Sequence, residues 1–407
     1  MYRLARERFQ FIKCFMGAHS MQIGIIKERR LDEKRVAATP DTVKKFIAMG
    51  LNVSIEKGAG ITAAITDHEY EEAGANILDD AQRVLENADI VLKVNKPIGP
   101  KDKDGSKLDE VKLLKSGSIL VSLMEPYKDR DLIGLIAKQN ITCFALELIP
   151  RITRAQTMDV LSSQSNLAGY KAVIEASTTY GKAFPMMMTA AGTVPPAKCL
   201  VMGAGVAGLQ AIATARRLGA VVSASDVRPA AKENVESLGA KFIAVEDEEF
   251  KQAETSGGYA KEMSDEYKKK QTELIAATVA KQDIIICTAL IPGKPAPVLL
   301  TPEMVDTMKP GSVIVDLAVE QGGNCPLSEP NKVVDRSGVQ IIGCTNLASR
   351  VAIDASALFA KNLLNFVTPL INSSENKIEI NMQDEIIVGS MITKDGKIVH
   401  DAVTTSM

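Results

Sequence analysis

Short aliphatic runs alternate with segments of helical periodicity along most of the chain. In its first third, the runs that predict buried strands are QIGIIKE (22–28), NVSIEK (52–57), ADIVLKV (88–94), SILVSLM (118–124) and ITCFALE (141–147). Between them, Pro40 opens a helix that Gly50 ends, and two short acidic helices are expected over about 67–87. This alternation is typical of a doubly wound α/β domain.

A second series of strand and helix signals follows. Its strands are expected at 197–203, 221–226, 241–245, 283–290, 312–319 and 340–346. Long helical patterns lie before this series, at about 163–181, and after it, from Asp354 to Ile371. The tail that remains carries two strand-like runs, EIIVG and GKIVH. We therefore predict an α/β fold of two doubly wound, Rossmann-like domains that are linked by long helices and enclose a cleft.

The two long helices also set the domain boundaries. A chain that enters and leaves a domain by long helices often folds its tail back on the first domain. We therefore assign residues 21–161 plus 351–407 to an N-terminal α/β domain and residues 162–350 to a Rossmann domain, whose expected ligand, NAD, follows from the motifs described below. Residues 1–20 contain basic side chains but no long apolar core, which argues against a secretory signal. We expect an upstream start or a loosely ordered tail there, with a membrane-surface helix as the alternative.

Composition narrows the function classes. Aromatic residues make up 4% of the 407 residues and Trp is absent, as is common in α/β proteins with aliphatic parallel sheets. The formal net charge of −2 gives no reason to expect a nucleic-acid partner, and no apolar stretch is long enough for a membrane span. Six scattered cysteines without a C-x-x-C pair are expected to be buried in a reducing compartment. The three histidines are expected at the surface, and no metal site is expected.

A glycine-rich turn follows the first strand of the second series. Gly203, Gly205 and Gly208 form G-x-G-x-x-G between a predicted strand and a predicted helix, and Asp226 ends the next strand. In this context the glycines permit a tight turn, close approach of a pyrophosphate and close packing of the helix, whereas the motif alone is often only a structural turn. A carboxylate at Asp226 binds ribose hydroxyls and repels a 2′-phosphate, so NAD is favoured over NADP. Arg228 could bind a phosphate of the nucleotide, or it could be only a surface cation beside Asp226.

A polar segment precedes this turn. Arg151, Gln156, Asp159 and Ser162 crowd hydrogen-bonding groups into one stretch, as the orientation of a nicotinamide ring requires. Together with the glycine-rich turn, the stretch suggests hydride chemistry. The alternative interpretation is a structural ion pair between Arg151 and Asp159 at a domain junction.

A Gly-Gly pair stands beside a tyrosine in SGGY (256–259), between charge-rich stretches. Such a segment suits a mobile lid whose ring packs on a nucleotide, and an ordinary exposed loop is the alternative. The loops after DIIICTAL and SVIVDLAV follow predicted strands, at the edge where open α/β sheets bind ligands.

These motifs resemble the alanine dehydrogenase and pyridine nucleotide transhydrogenase family, and within it the NAD(H)-binding subunits of proton-translocating transhydrogenases. The resemblance runs from about Met21 to the C-terminus. Its most specific stretches are RITRAQTMDVLSSQSNLAGY, AFPMMMTAAGTVPPA, GAGVAG, SGGYAKEM, IPGKPAPVL and VDLAVEQGGNCPLSEP. It implies that the catalytic residues over the nicotinamide are Arg151, Gln156, Asp159 and Ser162. The NAD contacts that it implies are Arg151, Ile152, Thr153, Gln156, Gly203, Gly205, Val206, Ala207, Gly208, Asp226, Val227, Arg228, Gly258, Tyr259, Gln271 and Leu290.

The alanine dehydrogenases of this family supply the main alternative. Their pyruvate site uses an Arg, a Lys, a His and an Asp, of which Arg35 and Lys93 match the first two and Glu320 replaces the Asp. Met124 or a neighbour stands where the His belongs, which removes the obvious proton shuttle for a carbonyl substrate. Hydride transfer between two nicotinamides protonates no heteroatom and needs no shuttle. A non-catalytic NAD-sensing module is the third interpretation.

The resemblance also implies partners. It indicates a homodimer that exchanges hydride between NAD(H) and NADP(H), the latter held by another polypeptide. The sequence contains neither the helices of a proton channel nor a second dinucleotide fingerprint. A separate membrane subunit is therefore expected to carry the channel and the NADP(H)-binding domain. The chain itself is expected in the cytoplasm, peripheral on the inner membrane through that subunit.

Overall fold

The computed structural model describes residues 21–102, 108–251, 263–291 and 293–404. They divide into two compact units. The first consists of the described residues up to Leu161 together with those from Ala352 onward, and the second is Ser162–Val351. The leader expected over residues 1–20 lies outside the described residues.

The strands, in chain order, are β1 Gln22–Ile25, β2 Asn52–Glu56, β3 Asn76–Leu78, β4 Ile90–Leu92, β5 Ile119–Ser122, β6 Thr142–Ala145, β7 Met187–Thr189, β8 Gly192–Val194, β9 Lys198–Met202, β10 Val221–Ser225, β11 Lys241–Phe242, β12 Ile284–Cys287, β13 Val313–Asp316, β14 Val333–Arg336, β15 Val339–Gly343, β16 Ile371–Asn372, β17 Lys377–Ile378, β18 Met391–Lys394 and β19 Lys397–Ile398. The helices are α1 Pro40–Ala48, α2 Asp67–Glu72, α3 Ala81–Leu85, α4 Glu110–Leu113, α5 Arg130–Lys138, α6 Val160–Thr179, α7 Val206–Arg217, α8 Ala231–Ser237, α9 Glu248–Lys251, α10 Asp265–Val279, α11 Pro302–Asp306, α12 Ala352–Val367, α13 Glu385–Ser390 and α14 Asp401–Thr404.

The sheet of the first unit has the strand order β19-β18-β6-β5-β4-β1-β2-β3. Strands β1 to β6 pair in parallel, and the tail strand β18 joins β6 antiparallel. Side chains of β5 alternate between two cores, because Ile119 and Val121 pack with Phe359 of α12 while Leu120 packs on the opposite face. Both faces of the parallel strands are therefore buried, which explains their near-continuous aliphatic sequences.

The sheet of the second unit has the order β11-β10-β9-β12-β13-β15-β14, and β14 is its antiparallel strand. Val201 of β9 enters one core, and Leu200 and Met202 enter the other. The strand order reverses between β9 and β12, which pair in parallel through Met202 and Cys287. In open α/β sheets ligands bind outside the carboxyl ends of the strands at this reversal.

The predicted α/β class with two domains of mainly parallel sheet is confirmed. The prediction of a strand at EIIVG is wrong, because these residues begin helix α13, whose first turn is capped by the Asp384 side chain accepting from the Ile386 amide at 2.9 Å. In GKIVH only Lys397–Ile398 is a strand. Strand β3 interrupts the predicted acidic helices, and the hairpin of β7 and β8 was not predicted. Among the described residues, no helix is both long and apolar enough to cross a membrane.

Candidate functional site

The glycine-rich turn lies at the carboxyl end of β9, where the strand order reverses. Gly203 has a φ of +100°, in the left-handed region that favours glycine. A Cβ on Gly208 would lie 1.8 Å from the Gly203 carbonyl oxygen, so only glycine allows α7 to start here. A Cβ on Gly205 would meet nothing within 4 Å, which leaves the backbone at the start of α7 open. The turn therefore meets the steric requirements of a pyrophosphate cradle.

Two residues that the sequence analysis missed brace this turn. Thr288, the residue after β12, donates from Oγ1 to the Gly203 carbonyl oxygen at 2.9 Å. Gly169 of α6 lies so close to α7 that a Cβ there would be 2.0 Å from the Ala207 carbonyl oxygen. A threonine after a buried strand and a glycine within a helix are weak signals in a sequence. Their roles depend on which elements lie next to them in the fold.

Asp226 follows β10 and is buried beside the turn. Its Oδ2 accepts from the Ala204 amide at 2.7 Å, so the carboxylate is tied directly to the glycine-rich turn. The Arg228 guanidinium binds both carboxylate oxygens, with Nε and one terminal nitrogen each at 2.9 Å. Burial by itself raises the pKa of Asp226, but the Arg228 guanidinium and the Ala204 amide outweigh it and lower the pKa below its usual value. The carboxylate is therefore held ionised.

Apolar side chains surround this edge of the second sheet. Exposed residues follow β9, β10 and β12 at their carboxyl ends, namely Val206, Val227 and Leu290. Gln271 of α10 supports the same edge, because its Oε1 accepts from the Val245 amide at 2.8 Å and its Nε2 lies 3.5 Å from the Ser225 hydroxyl. In this structure Gln271 is thus part of the framework next to Asp226. The predicted lid residues Gly258 and Tyr259 lie outside the described residues.

The polar segment forms a 3₁₀ helix over Thr153–Met158 in the first unit. Ala155 and Met158 are buried, and the Thr157 carbonyl oxygen accepts from the Asn362 side chain at 2.8 Å. An ion pair with Asp384 holds Arg154, whose guanidinium donates at 2.6 and 2.8 Å. The segment is fixed on one side, and the predicted site residues that it leaves exposed are Arg151, Thr153 and Gln156, with Ile152 and Asp159 half-buried. Ser162 is half-buried where the second unit begins.

The carboxyl edge of the first sheet is filled with paired charges. Lys93 follows β4 and is buried between the carboxylates of Glu28, at 3.3 Å, and Glu110, at 3.2 Å. Burial by itself lowers the pKa of Lys93, but the two carboxylates outweigh it and raise the pKa above its usual value. Arg35 is buried against Glu33 in a two-point ion pair with nitrogen–oxygen distances of 2.6 and 2.8 Å. The two cations that match the pyruvate ligands of alanine dehydrogenases are therefore engaged within the chain.

Met124 follows β5 and is fully buried. The Ser122 hydroxyl lies 3.0 Å from its sulfur, and its backbone amide donates to Glu147 Oε1 at 2.7 Å. The Glu125 amide donates to the same oxygen at 2.6 Å. Burial raises the pKa of Glu147 to about 7. The thioether of Met124 cannot transfer protons, and the nearby Glu147 carboxyl holds the turn after β5 by accepting from two backbone amides.

Two of the three histidines, His68 and His400, lie among the described residues. His68 is exposed beside Glu71 and Glu72. His400 is half-buried rather than at the surface, and its Nδ1 accepts from the Ala402 amide at 3.0 Å as an N-cap of the last helix. In the portion of the chain that the structure describes, no cluster of His, Cys, Asp and Glu could hold a metal, and the cysteines are buried.

Comparison with known proteins places this architecture in a family. The family model of the alanine dehydrogenase/PNT N-terminal domain matches residues 24–168, and that of the C-terminal domain matches residues 172–401. The chain is 57% identical over 384 residues to an NAD(P) transhydrogenase alpha subunit of Rhodospirillum rubrum, an alignment that covers 94% of this chain and 99% of that protein.

Solved structures agree with this match. The crystal structure of transhydrogenase from Sinorhizobium meliloti superposes with a TM-score of 0.83 at 51% identity, covering 93% of this chain and all of that one. An L-alanine dehydrogenase superposes with a TM-score of 0.77 at 25% identity, covering 94% of this chain and 98% of that one. The chain therefore belongs to the alanine dehydrogenase/PNT family and, within it, to the NAD(P) transhydrogenase alpha subunits.

Proposed function

We propose that this chain is the NAD(H)-binding subunit of a proton-translocating NAD(P) transhydrogenase. The observation that carries the proposal is the contrast between its two sheet edges. The edge of the second sheet has an open glycine-rich turn with a buried carboxylate tied to it, which suits a dinucleotide. At the edge of the first sheet, the two cations that could bind a keto acid are each paired with carboxylates of the same chain. A keto-acid carboxylate would have to compete with these internal carboxylates for Arg35 or Lys93.

The proposed NAD contacts fit the geometry of the second unit. A pyrophosphate can approach Gly205, because a side chain at that position would be in open space. Asp226 would accept from the ribose hydroxyls, which favours NAD over NADP. Both of its oxygens already accept from Arg228, so ribose binding requires the Arg228 side chain to share or leave the carboxylate. We expect this arginine to move when NADH binds.

Arg151, Gln156, Asp159 and Ser162 are the proposed catalytic residues. A bound nicotinamide supplies the hydride chemistry, and these side chains orient the ring and exclude water from it. Gln156 is exposed on the 3₁₀ helix Thr153–Met158 and Arg151 is exposed just before it. The Asn362 side chain anchors the Thr157 carbonyl oxygen of this helix, as a preorganised contact surface requires. No proton transfer to a heteroatom is needed, which agrees with the buried thioether of Met124.

A separate subunit is proposed to hold NADP(H) and the proton channel. The chain would then lie in the cytoplasm, peripheral on the inner membrane through that partner. This element of the proposal is supported by the names of the relatives, which are alpha subunits of NAD(P) transhydrogenase.

The hairpin of β7 and β8 supports a homodimer. Met186, Met187 and Met188 are exposed, and the two strands of the hairpin form a sheet of their own within the described residues. Short exposed apolar strands with open edges favour pairing with another chain. We propose that a second copy covers this hairpin. Sedimentation of wild type and of Met188→Lys tests this, because the charged variant should shift toward monomer.

Two titrations and one reconstitution test the function. NADH should bind the purified chain much more tightly than NADPH, and Asp226→Ala should narrow that difference by removing the repulsion of the 2′-phosphate. The chain alone should not reduce an NADP analogue, and addition of the NADP-binding membrane subunit should restore hydride transfer. Alanine-dependent NAD reduction by the chain alone would instead identify an alanine dehydrogenase. Tight NADH binding without transfer in the reconstituted complex would identify a sensing module.

A further inference from the structure

Asn324 lies in the loop that follows β13 and is fully buried. Its Oδ1 accepts from the Ala289 amide at 3.1 Å, and its Nδ2 donates to the Ala289 carbonyl oxygen at 2.9 Å. The side-chain amide thus binds both peptide groups that flank Ala289. A second donation from Nδ2 reaches the Pro297 carbonyl oxygen at 2.8 Å. One side chain therefore holds both ends of the loop that follows β12.

The backbone of Asn324 adds to this clamp. Its carbonyl oxygen accepts from the Leu299 and Leu300 amides at 2.8 and 3.0 Å. Asn324 is itself held in place by its neighbours, because the buried Asp316 at the end of β13 accepts from the Cys325 amide at 3.0 Å. The loop after β12 is thus fixed to the loop after β13 through polar contacts of buried residues in the second unit.

The clamped peptide belongs to the dinucleotide edge. Thr288 precedes Ala289 and donates to the Gly203 carbonyl oxygen, which belongs to the glycine-rich turn. Leu290 follows Ala289, is exposed at the carboxyl end of β12, and is among the proposed NAD contacts. Asn324 therefore fixes the peptide that joins the turn to the exposed Leu290.

We propose that Asn324 is a positioning residue for hydride transfer. Its side-chain amide sets the place of the Ala289–Leu290 peptide, and through it the position of Leu290, one of the proposed NAD contacts. The proposal rests on the proposed function. Asn is required because this contact needs one acceptor and two donors on a planar group, whereas an ionised Asp would be an acceptor facing two carbonyl oxygens. The pyrophosphate turn and Asp226 make their contacts elsewhere, so Asn324 should affect orientation more than affinity.

The test uses Asn324→Asp in the full chain, reconstituted with the NADP-binding membrane subunit. At pH 8 the single-turnover transfer rate should fall about 100-fold, since misplacement of a reacting group by about 1 Å has that effect. NADH affinity should change by less than about threefold, because the lost contacts do not involve the turn. As the pH falls toward 5.5 the mutant rate should recover relative to wild type. A protonated carboxyl can again donate to one carbonyl oxygen and accept from the Ala289 amide, and burial raises the pKa of such a carboxyl.

Gln282→Glu provides a matched control. This residue is also buried, lies at the opposite end of β12, and donates from Nε2 to the Thr278 carbonyl oxygen at 3.1 Å. The same amide-to-acid change there should lower stability without a pH-dependent recovery of the transfer rate. If Asn324→Asp does not fold, Asn324→Ala replaces it. For this variant and for wild type, the single-turnover transfer rate is divided by the NADH association constant. That ratio should fall at least tenfold.

Four results separate the outcomes. A mutant rate within twofold of wild type at every pH would overturn the role of Asn324. Equal losses of rate and affinity, or recovery at low pH in Gln282→Glu as well, would also overturn it and indicate a purely structural role. Absence of transfer by the wild-type chain with its partner would instead refute the proposed function itself.

Discussion

The two sheets of this protein share one plan and differ at one edge. Both place their first strand, β1 or β9, in the middle of a parallel sheet, with the next two strands on one side and the fourth on the other. The loop after β9 is GAGVAG, open at Gly205, whereas the loop after β1 is KERRLDEKR, rich in charge. The edge of the second sheet leaves its backbone open. The edge of the first is occupied by its own side chains, since Arg29 pairs with Glu56 and Lys93 lies between two carboxylates.

This difference shows that the doubly wound topology provides a crevice at the sheet edge, whereas the residues at that edge decide which ligand can bind there. An open backbone with a helix N-terminus attracts a phosphate, whereas a closed network of ion pairs satisfies its own charges. The cations that match the keto-acid ligands of alanine dehydrogenases, Arg35 and Lys93, are buried and paired with carboxylates in this chain. Four predictions test this contrast, starting with the largest effect.

Lys93→Met should destabilise the first unit by roughly 3–5 kcal/mol, because it leaves the buried carboxylates of Glu28 and Glu110 without their shared cation. NADH affinity of the folded fraction should not change. Denaturant unfolding and fluorescence titration measure the two quantities. Lys101→Met is the control, because its ion pair with Asp131 is exposed and its loss should have no measurable effect. A stable Lys93→Met with weakened NADH binding would contradict the division of roles between the edges.

Gln156→Asn should lower the hydride-transfer rate in the reconstituted complex about 100-fold, because a shorter side chain lets the nicotinamide shift by about 1 Å. NADH affinity should largely survive, since the proposed adenosine and pyrophosphate contacts lie on the glycine-rich turn and Asp226. Stopped-flow single turnovers and equilibrium titration separate rate from binding. The opposite result, an intact rate with collapsed affinity, would make the polar segment a binding element and refute its catalytic assignment.

Gly208→Ala and Gly205→Ala should separate packing from access at the turn. The Gly208 Cβ would overlap the Gly203 carbonyl oxygen, so this variant should lose roughly 1–3 kcal/mol of stability as well as NADH affinity. The Gly205 Cβ meets open space, so the second variant should keep its stability and lose affinity alone, at least tenfold. Thermal melts and NADH titrations compare them. Undiminished NADH binding by Gly205→Ala would show that no phosphate approaches this backbone.

Many strands and helices could be predicted from the sequence, because aliphatic runs that form strands and glycines that end helices are local signals. The strands β1, β2, β4, β5, β9 and β10 and the helix after Gly205 all follow from them. It failed at EIIVG, where the Asp384 cap made a helix of an apolar run too short to show its period. Short β3 was hidden in an acidic stretch, and the hairpin of β7 and β8 has no buried face to give it a pattern.

The site was less predictable than the fold. The glycine-rich turn could be predicted from the sequence, because a phosphate cradle needs glycines in the fixed spacing of Gly203, Gly205 and Gly208. The pairing of Asp226 with Arg228 was foreseen only as an alternative, and the buried pairs of Lys93 and Arg35 were not foreseen. The pairs of Lys93 join residues distant in the sequence and depend on which strand ends become neighbours, which a single sequence does not show. The Arg35–Glu33 and Asp226–Arg228 pairs join residues two positions apart and depend on the local backbone conformation instead.

The smallest expected effect concerns Glu147, which lies behind the edge of the first sheet. Its pKa is raised to about 7 by burial, with the Glu125 carboxylate adding to the shift, while the Met124 and Glu125 amides oppose it. An unfolded Glu titrates near pH 4.3, so between about pH 4.5 and 7 the folded state binds more protons than the unfolded state. Stability must therefore fall as the pH rises through this window and level off above it.

Glu147→Gln removes this proton while keeping an oxygen that can accept from the Met124 and Glu125 amides. The difference in unfolding free energy between wild type and variant should decrease by on the order of 1–2 kcal/mol from pH 5 to 8. Urea unfolding at several pH values measures it, and all other titrating groups cancel in the difference. Glu266→Gln is the control, since pairing with Lys270 at 2.6 Å lowers the pKa of Glu266 and moves its titration below this window. A difference in unfolding free energy that does not depend on pH would mean that Glu147 is ionised throughout this window. The edge of the first sheet would then contain a buried carboxylate without a paired cation, in contrast to the ion pairs of Lys93 and Arg35.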